Sequence, residues 1–317
     1  MLVLWRNPAR RPVDHHLPGV RQPIDRFFPE LTAPSETAKR AITIEDLKEF
    51  YNRNFSPTVS RAHIVGAVTQ EEALAAMEGL AANWEAKEVS IPEFPVTNTR
   101  DKASLYFVDV PNAKQSVIQI GYISMPRTSE DFYPAEVMNY KLGGSFSGNV
   151  NLILREEKGY TYGARTGFSG SRIPGTFSAS SSVRTNATEE SVAIFRDQIA
   201  KYKEGISEED LAFTKNALIK SNARRFETQG SLLGMLQEMS AYDLDPKFIE
   251  KEEQIVGAMT LEQHKALANE YLDESKMVYL VVGDAATQFE QFKTMGFDEV
   301  KLLDKKGEEV ELNVVKM

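Results

Sequence analysis

Hydrolytic and metal chemistry in proteins is built mostly from histidine, cysteine and convergent carboxylates, and this sequence is sparing with the first two. Its 317 residues include four histidines, His15, His16, His63 and His264, and no cysteine. A hydrolytic zinc site takes neutral imidazoles and carboxylates, commonly with two histidines on adjacent turns of one helix. His15 and His16 are neighbours in the chain, so their side chains diverge, while His63 and His264 lie far apart in it. Neither HExxH nor the inverted HxxEH occurs, so this chain is expected to bind no metal of its own. The lack of cysteine excludes thiolate nucleophiles and disulfides, and no GxSxG elbow is present. The run Gly143-Gly144-Ser145-Phe146-Ser147-Gly148 follows a helical stretch and has no Lys-Ser/Thr after it, unlike a phosphate-binding loop. Glu156-Glu157 and Glu252-Glu253 are adjacent pairs on predicted helices and read as solvated faces.

One segment carries a pattern of its own. Leu142-Gly143-Gly144-Ser145-Phe146-Ser147-Gly148, followed by Leu154-Arg155-Glu156-Glu157-Lys158-Gly159-Tyr160-Thr161-Tyr162-Gly163, resembles the C-terminal domain signature of M16 (pitrilysin/insulinase-like) zinc metallopeptidases. That signature is a glycine-rich loop, a helix ending in Leu-Arg-Glu, and a Gly-x-x-Tyr strand start. The resemblance implies an α+β fold of duplicated M16/LuxS-like domains, with mixed, mostly antiparallel sheets and helices on one face. It also implies that Arg155 and Tyr162, seven residues apart, form the family's R/Y pair and face the active-site chamber. A guanidinium keeps its proton and a phenol donates one hydrogen bond, so the pair suits a substrate carbonyl or the oxyanion formed from it. A structural reading competes, in which Arg155 caps its own helix and Tyr162 packs in the sheet. In related processing peptidases a glycine-rich stretch helps admit substrate, which would give Gly143, Gly144, Ser145 and Gly148 a substrate-binding role. The plainer reading is that these glycines separate two helices, with Ser145 or Ser147 capping the second.

The elements that must position these residues follow from periodicity. Thr43 reads as the N-cap of a helix to about Asn54, and Ala62–Gly66 as a short buried strand. Glu71–Trp84 is helical. Ser104–Val110 and Gln115–Ser124 alternate as paired strands do. Helices are predicted over Glu130–Leu142 and Asn149–Glu157, strands near Tyr162–Ser169 and Gly175–Val183, and helices over most of 188–203, 207–241 and 245–256.

A repeat organises the chain. Shifted by 217 positions, Ala41–Gly66 lies over Ala258–Gly283 without a gap, with seven identities in twenty-six positions. Both copies read as capped helix, turn, then strand, and the second has a capping box, Thr260 with Gln263. The resulting map is an irregular segment at 1–24, a partial first M16 domain at 25–90, and a linker at 91–102. A complete second domain follows at 103–295, with a C-terminal extension at 296–317. The resemblance puts HxxEH in the front half of the first domain, the part the repeat finds absent. The second-domain counterpart, about Glu130–Leu142, has no histidine.

Composition narrows the partners. A net charge of −9 argues against nucleic acid, whose phosphates call for clustered Lys and Arg. No stretch approaches the ~20 apolar residues of a membrane span, so no membrane insertion is expected and the chain reads as soluble. It reads as periplasmic if a missing front part carries a signal, and otherwise as cytoplasmic. The expected function is the substrate-binding, transition-state-stabilising half of a clamshell zinc peptidase. Its partners would be peptide substrate and either an HxxEH-bearing M16 chain, which would hold the Zn2+, or a second copy. The alternative is a catalytically inactive M16-fold scaffold or binding subunit.

Overall fold

Thr43 starts the first helix for a local reason. Its hydroxyl accepts from the Asp46 N–H at 3.2 Å, and the Asp46 carboxylate accepts from the Thr43 N–H at 2.7 Å. Two of the helix's free N–H groups are thereby satisfied. The computed structural model describes residues 3–4, 40–91, 101–305 and 307–312, which form two units. The first holds residues 3–4, 40–91 and 219–251, and the second residues 101–218 and 252–312.

In the first unit, β1 (Val3–Leu4) pairs antiparallel with β2 (Ala62–His63), between α1 (Ile44–Asn54) and α2 (Gln70–Asn83). Neither of these helices buries a residue. The strand expected at 62–66 is therefore two residues long and partly exposed instead of buried. Its counterpart in the second unit lies between two long strands, whereas among the described residues β2 pairs with β1 alone.

The second unit contains one six-stranded sheet. Its strands are β3 (Ser104–Asp109), β4 (Gln115–Ile123), β5 (Thr161–Ser169), β6 (Thr176–Arg184), β7 (Val278–Gly283) and β8 (Glu299–Leu303). They run in the order β5-β6-β4-β7-β3-β8. The pairs among β5, β6, β4 and β7 are antiparallel, while β3 runs parallel to both β7 and β8. The sheet is mixed, as expected. Strand β8 comes from the segment assigned to the C-terminal extension.

Burial follows side-chain pattern. In β6 the inward Phe177, Ala179, Ser181 and Val183 alternate with outward Ser and Arg residues, as in a sheet with one wet face. Strand β3 is buried from Ser104 to Val108 and apolar from Leu105 to Val108. Leu105 and Phe107 join the main core, while Tyr106 and Val108 form a smaller cluster with Leu280 and Leu303.

The helices that cover the main core are α3 (Phe132–Asn139), α4 (Asn149–Asn151), α5 (Thr188–Tyr202), α9 (Leu261–Tyr271) and α10 (Ala285–Phe292). Between α5 and α9 the chain forms α6 (Glu208–Asn222), α7 (Gln229–Tyr242) and α8 (Phe248–Ala258). The helical stretch expected over most of 207–241 is thus formed by two helices. A 3-10 turn spans Ala223–Phe226, and the Thr228 hydroxyl then accepts from Ser231 N–H at 3.0 Å to start α7. No described helix is long and apolar enough to cross a membrane.

The two helices around the glycine run widen. Helix α3 passes into π winding over Tyr140–Gly144, and α4 into π winding over Leu152–Glu157. Gly159 ends the second with φ at +62°, its N–H donating to the Arg155 carbonyl at 3.2 Å. This left-handed conformation suits glycine. Gly159→Ala is expected to lower unfolding free energy by about 1–2 kcal/mol, and Gly159→Asn by less, by urea titration. Equal costs for the two would remove the backbone explanation.

A buried polar pair joins α5 and α9 to the end of α3. The Tyr202 hydroxyl donates to the Met138 carbonyl at 2.8 Å, and His264 Nε2 lies 3.2 Å from the same oxygen, which it can contact only as a donor. The proton then sits on Nε2, and Nδ1 is buried with no partner. Desolvation lowers the His264 pKa below its ordinary value, against the raising effect of the Met138 carbonyl. The unfolded chain therefore binds a proton first, so stability falls as pH drops below about 6.5. The loss in melting temperature between pH 7.5 and pH 5 is expected to be smaller in His264→Leu than in the wild type. Equal losses would remove His264 from the acid response.

Candidate functional site

The glycine run is shaped by close approach. A Cβ on Gly143 would sit 2.7 Å from the Thr166 amide nitrogen, the Thr166 hydroxyl and a Val150 methyl, and one on Gly148 would sit 2.7 Å from Gly143 Cα. At Gly144 it would meet the Asn139 amide at 3.0 Å. Serine capping, the expected role, is not found. Gly148 is the N-cap of α4 with no side-chain cap bond, and Ser145 instead offers its carbonyl to Gly148 N–H at 3.0 Å. The glycines let α3, α4 and β5 touch.

Two buried asparagines that sequence reasoning passed over hold that contact. Asn139 Nδ2 donates to the Thr166 carbonyl at 3.1 Å, and its Oδ1 accepts from the Thr166 hydroxyl at 2.6 Å. Asn151 Nδ2 donates to the Phe146 carbonyl at 2.7 Å, and its Oδ1 accepts from the Ala164 N–H at 3.0 Å. Strand β5 ends the sheet, so its outward backbone groups have no strand to pair with. The asparagines take two of them. An asparagine within a helical pattern looks like a surface residue, and no sequence signal marked these.

Arg155 and Tyr162 stand at either end of the connection from the π segment to β5. The Arg155 guanidinium lies 4.5 Å over the ring of Phe146, and its Nε is 3.4 Å from the adjacent Glu156 carboxylate. Tyr162 is 90% exposed, so it does not pack in the sheet. The β5–β6 register shifts between Thr161 and Ala164, a bulge of the kind that re-aims a side chain. Tyr160 differs. Its hydroxyl donates to Glu190 at 2.6 Å, and Lys158 donates to the same carboxylate at 2.7 Å. Those bonds, from Lys158 and then Tyr160, hold the Glu190 pKa below the usual carboxylate range. Tyr160 is thus committed to a structural triad, whereas Tyr162 makes no hydrogen bond to a described residue. Chemically, the Arg155 terminal nitrogens and the Tyr162 hydroxyl are hydrogen-bond donors with no acceptor among the described residues.

Among the described residues, no set of side chains fits zinc. No group of three or more His, Cys, Asp or Glu side chains among the described residues could hold a metal. His264 is buried with Nε2 engaged, and His15 and His16 lie outside the described residues.

The family described as "Peptidase M16 inactive domain" matches residues 41–218. An uncharacterized zinc protease of Streptomyces coelicolor is 23% identical over 203 residues, covering 62% of this chain and 44% of that protein. A probable inactive metalloprotease of Bacillus subtilis is 23% identical over 210 residues, covering 64% of this chain and 47% of that protein. The chain thus spans about half the length of the curated relatives it matches. Among solved structures, the peptidase M16 inactive domain from Pseudomonas fluorescens superposes with a TM-score of 0.70 at 24% identity. That match covers 78% of this chain and 60% of the other, and it shows a shared fold. The family match takes in more than half of the chain, the glycine run, Arg155 and Tyr162 included: the chain belongs to the M16 peptidase family, through its inactive domain.

Proposed function

We propose that the chain is the zinc-free half of a clamshell M16 peptidase, where Arg155 and Tyr162 hold the carbonyl of a bound peptide. The observation that carries this reading is the exposure of Tyr162 on a bulge beside the helix end that presents Arg155. A peptide carbonyl approached by water gathers negative charge on oxygen, and fixed N–H and O–H donors stabilise it. Arg155 supplies a donor whose charge persists at any working pH, and Tyr162 supplies a neutral one. The Zn2+ that activates the water belongs to a complementary half bearing HxxEH, from another chain or from further sequence of the same polypeptide.

The repeat supports such a partner. Met259 and His264 are 4% and 1% exposed in and beside α9, while their counterparts Ile42 and Leu47 are 52% and 55% exposed. In the second unit α3 packs on α9. The exposed face of α1 therefore fits the matching helix of a complementary half-domain, with its sheet strands beside β2.

A second reading, a scaffold or binding subunit without chemistry, is favoured by the absence of any metal-ligand group among the described residues. The two readings differ in mixing experiments with an HxxEH-bearing M16 chain. The first expects zinc-dependent cleavage of unstructured peptides, reduced on the order of 10²–10³-fold in kcat by Arg155→Ala or Tyr162→Phe. No activity in the wild-type mixture favours the scaffold, and full activity in both variants removes the carbonyl-donor role of Arg155 and Tyr162. Leu47→Glu is expected to weaken assembly while leaving the melting temperature of the chain alone nearly unchanged; unimpaired assembly would remove the α1 face from the interface.

A further inference from the structure

Phe146 is a large apolar side chain left 66% exposed on a loop that is not loose. Gly143 and Gly148 on either side have no room for a Cβ, and the Phe146 carbonyl accepts from the buried Asn151 amide at 2.7 Å. The other end of that amide takes the Ala164 N–H, two residues beyond Tyr162. Asn151 itself stands one helical turn before Arg155, whose guanidinium lies on the Phe146 ring. One buried side chain thus ties together the loop carrying Phe146, the helix carrying Arg155 and the strand carrying Tyr162.

We propose that Phe146, with Arg155 stacked on it, forms a subsite for a large apolar or aromatic side chain of a bound peptide, and that Asn151 is its positioning residue. In an extended peptide, side chains flank every carbonyl. A peptide whose carbonyl is held by Arg155 and Tyr162 therefore brings a neighbouring side chain to the adjoining surface. The exposed part of the Phe146 ring offers apolar area for it. The subsite rests on the reading of Arg155 and Tyr162 as carbonyl donors.

The test uses the full chain and two labelled, unstructured peptides that differ only in a central Phe or Gly, with affinity read by fluorescence anisotropy. The wild type is expected to prefer the Phe peptide by about three- to tenfold. Phe146→Ala should bind both equally, and Phe146→Tyr should keep the preference. Asn151→Asp keeps the acceptor toward Ala164 but sets a carboxylate oxygen against the Phe146 carbonyl, so the preference should fall. Combined with Phe146→Ala it should fall no further, because both act through one contact. Melting temperatures are taken alongside, and the surface variants Phe146→Ala and Phe146→Tyr keep the test open if Asn151→Asp fails to fold. An unchanged preference in Phe146→Ala overturns the subsite, and additive losses overturn the role of Asn151. Undiminished binding by Arg155→Ala and Tyr162→Phe would instead overturn the carbonyl-donor reading, and no binding of either peptide by the wild type would overturn both.

Discussion

The last strand of a sheet has a row of backbone groups with no neighbour to take them, and a buried group left in that condition costs about 1–3 kcal/mol. Strand β5 is in that position. Its Ala164 N–H and Thr166 carbonyl are taken by Asn151 and Asn139, each from a helix lying against it. For those short side chains to reach, the helices must approach the strand closely, and at Gly143 even a Cβ would sit 2.7 Å from the Thr166 amide nitrogen. The glycine run, the asparagines and the edge strand are therefore one arrangement. The placement of Arg155 and Tyr162 follows from it, since one leaves the helix that Asn151 belongs to and the other precedes the residue that Asn151 holds.

Much of the second unit could be read from residue patterns. The strands at 104–110, 115–124 and 175–183 were visible because alternation or continuous apolar character leaves little choice of face, and their observed ends lie within about a residue of expectation. The segment at 142–163 was recognisable by family likeness, and it proved to be the loop, helix end and strand start it resembled. What stayed hidden depends on tertiary contact. The break at Ala223–Phe226 has no Gly or Pro to announce it, and the π winding at Tyr140–Gly144 and Leu152–Glu157 has no periodic signature. Burial of Asn139 and Asn151 is a property of what lies opposite them.

The two repeat copies show the same limit from another side. Both start with a threonine cap closed by a residue three positions on, Asp46 in one and Gln263 in the other. Helix and cap are local, so they form in each. The strand that follows is not local. Val278–Gly283 lies between β3 and β4 and is mostly buried, whereas among the described residues Ala62–His63 has Val3–Leu4 alone beside it. Local chemistry specifies the start of an element, and neighbours decide whether it becomes core.

The way Arg155 is held bears on what it can still do. A buried bidentate carboxylate would orient the guanidinium but use up its paired N–H donors. Stacking on Phe146 orients the plane through its face and leaves the donors along its edge. Glu156 approaches only Nε, and no described residue takes the terminal nitrogens. The neighbouring tyrosines divide in the same manner, Tyr160 spending its hydroxyl on Glu190 while that of Tyr162 stays open. Arg155 is thus oriented by an aromatic ring with its terminal nitrogens uncommitted among the described residues, and Tyr162 stands 90% exposed. That distinction separates Arg155 and Tyr162 from Lys158 and Tyr160, which lie within a few residues of them on the same connection.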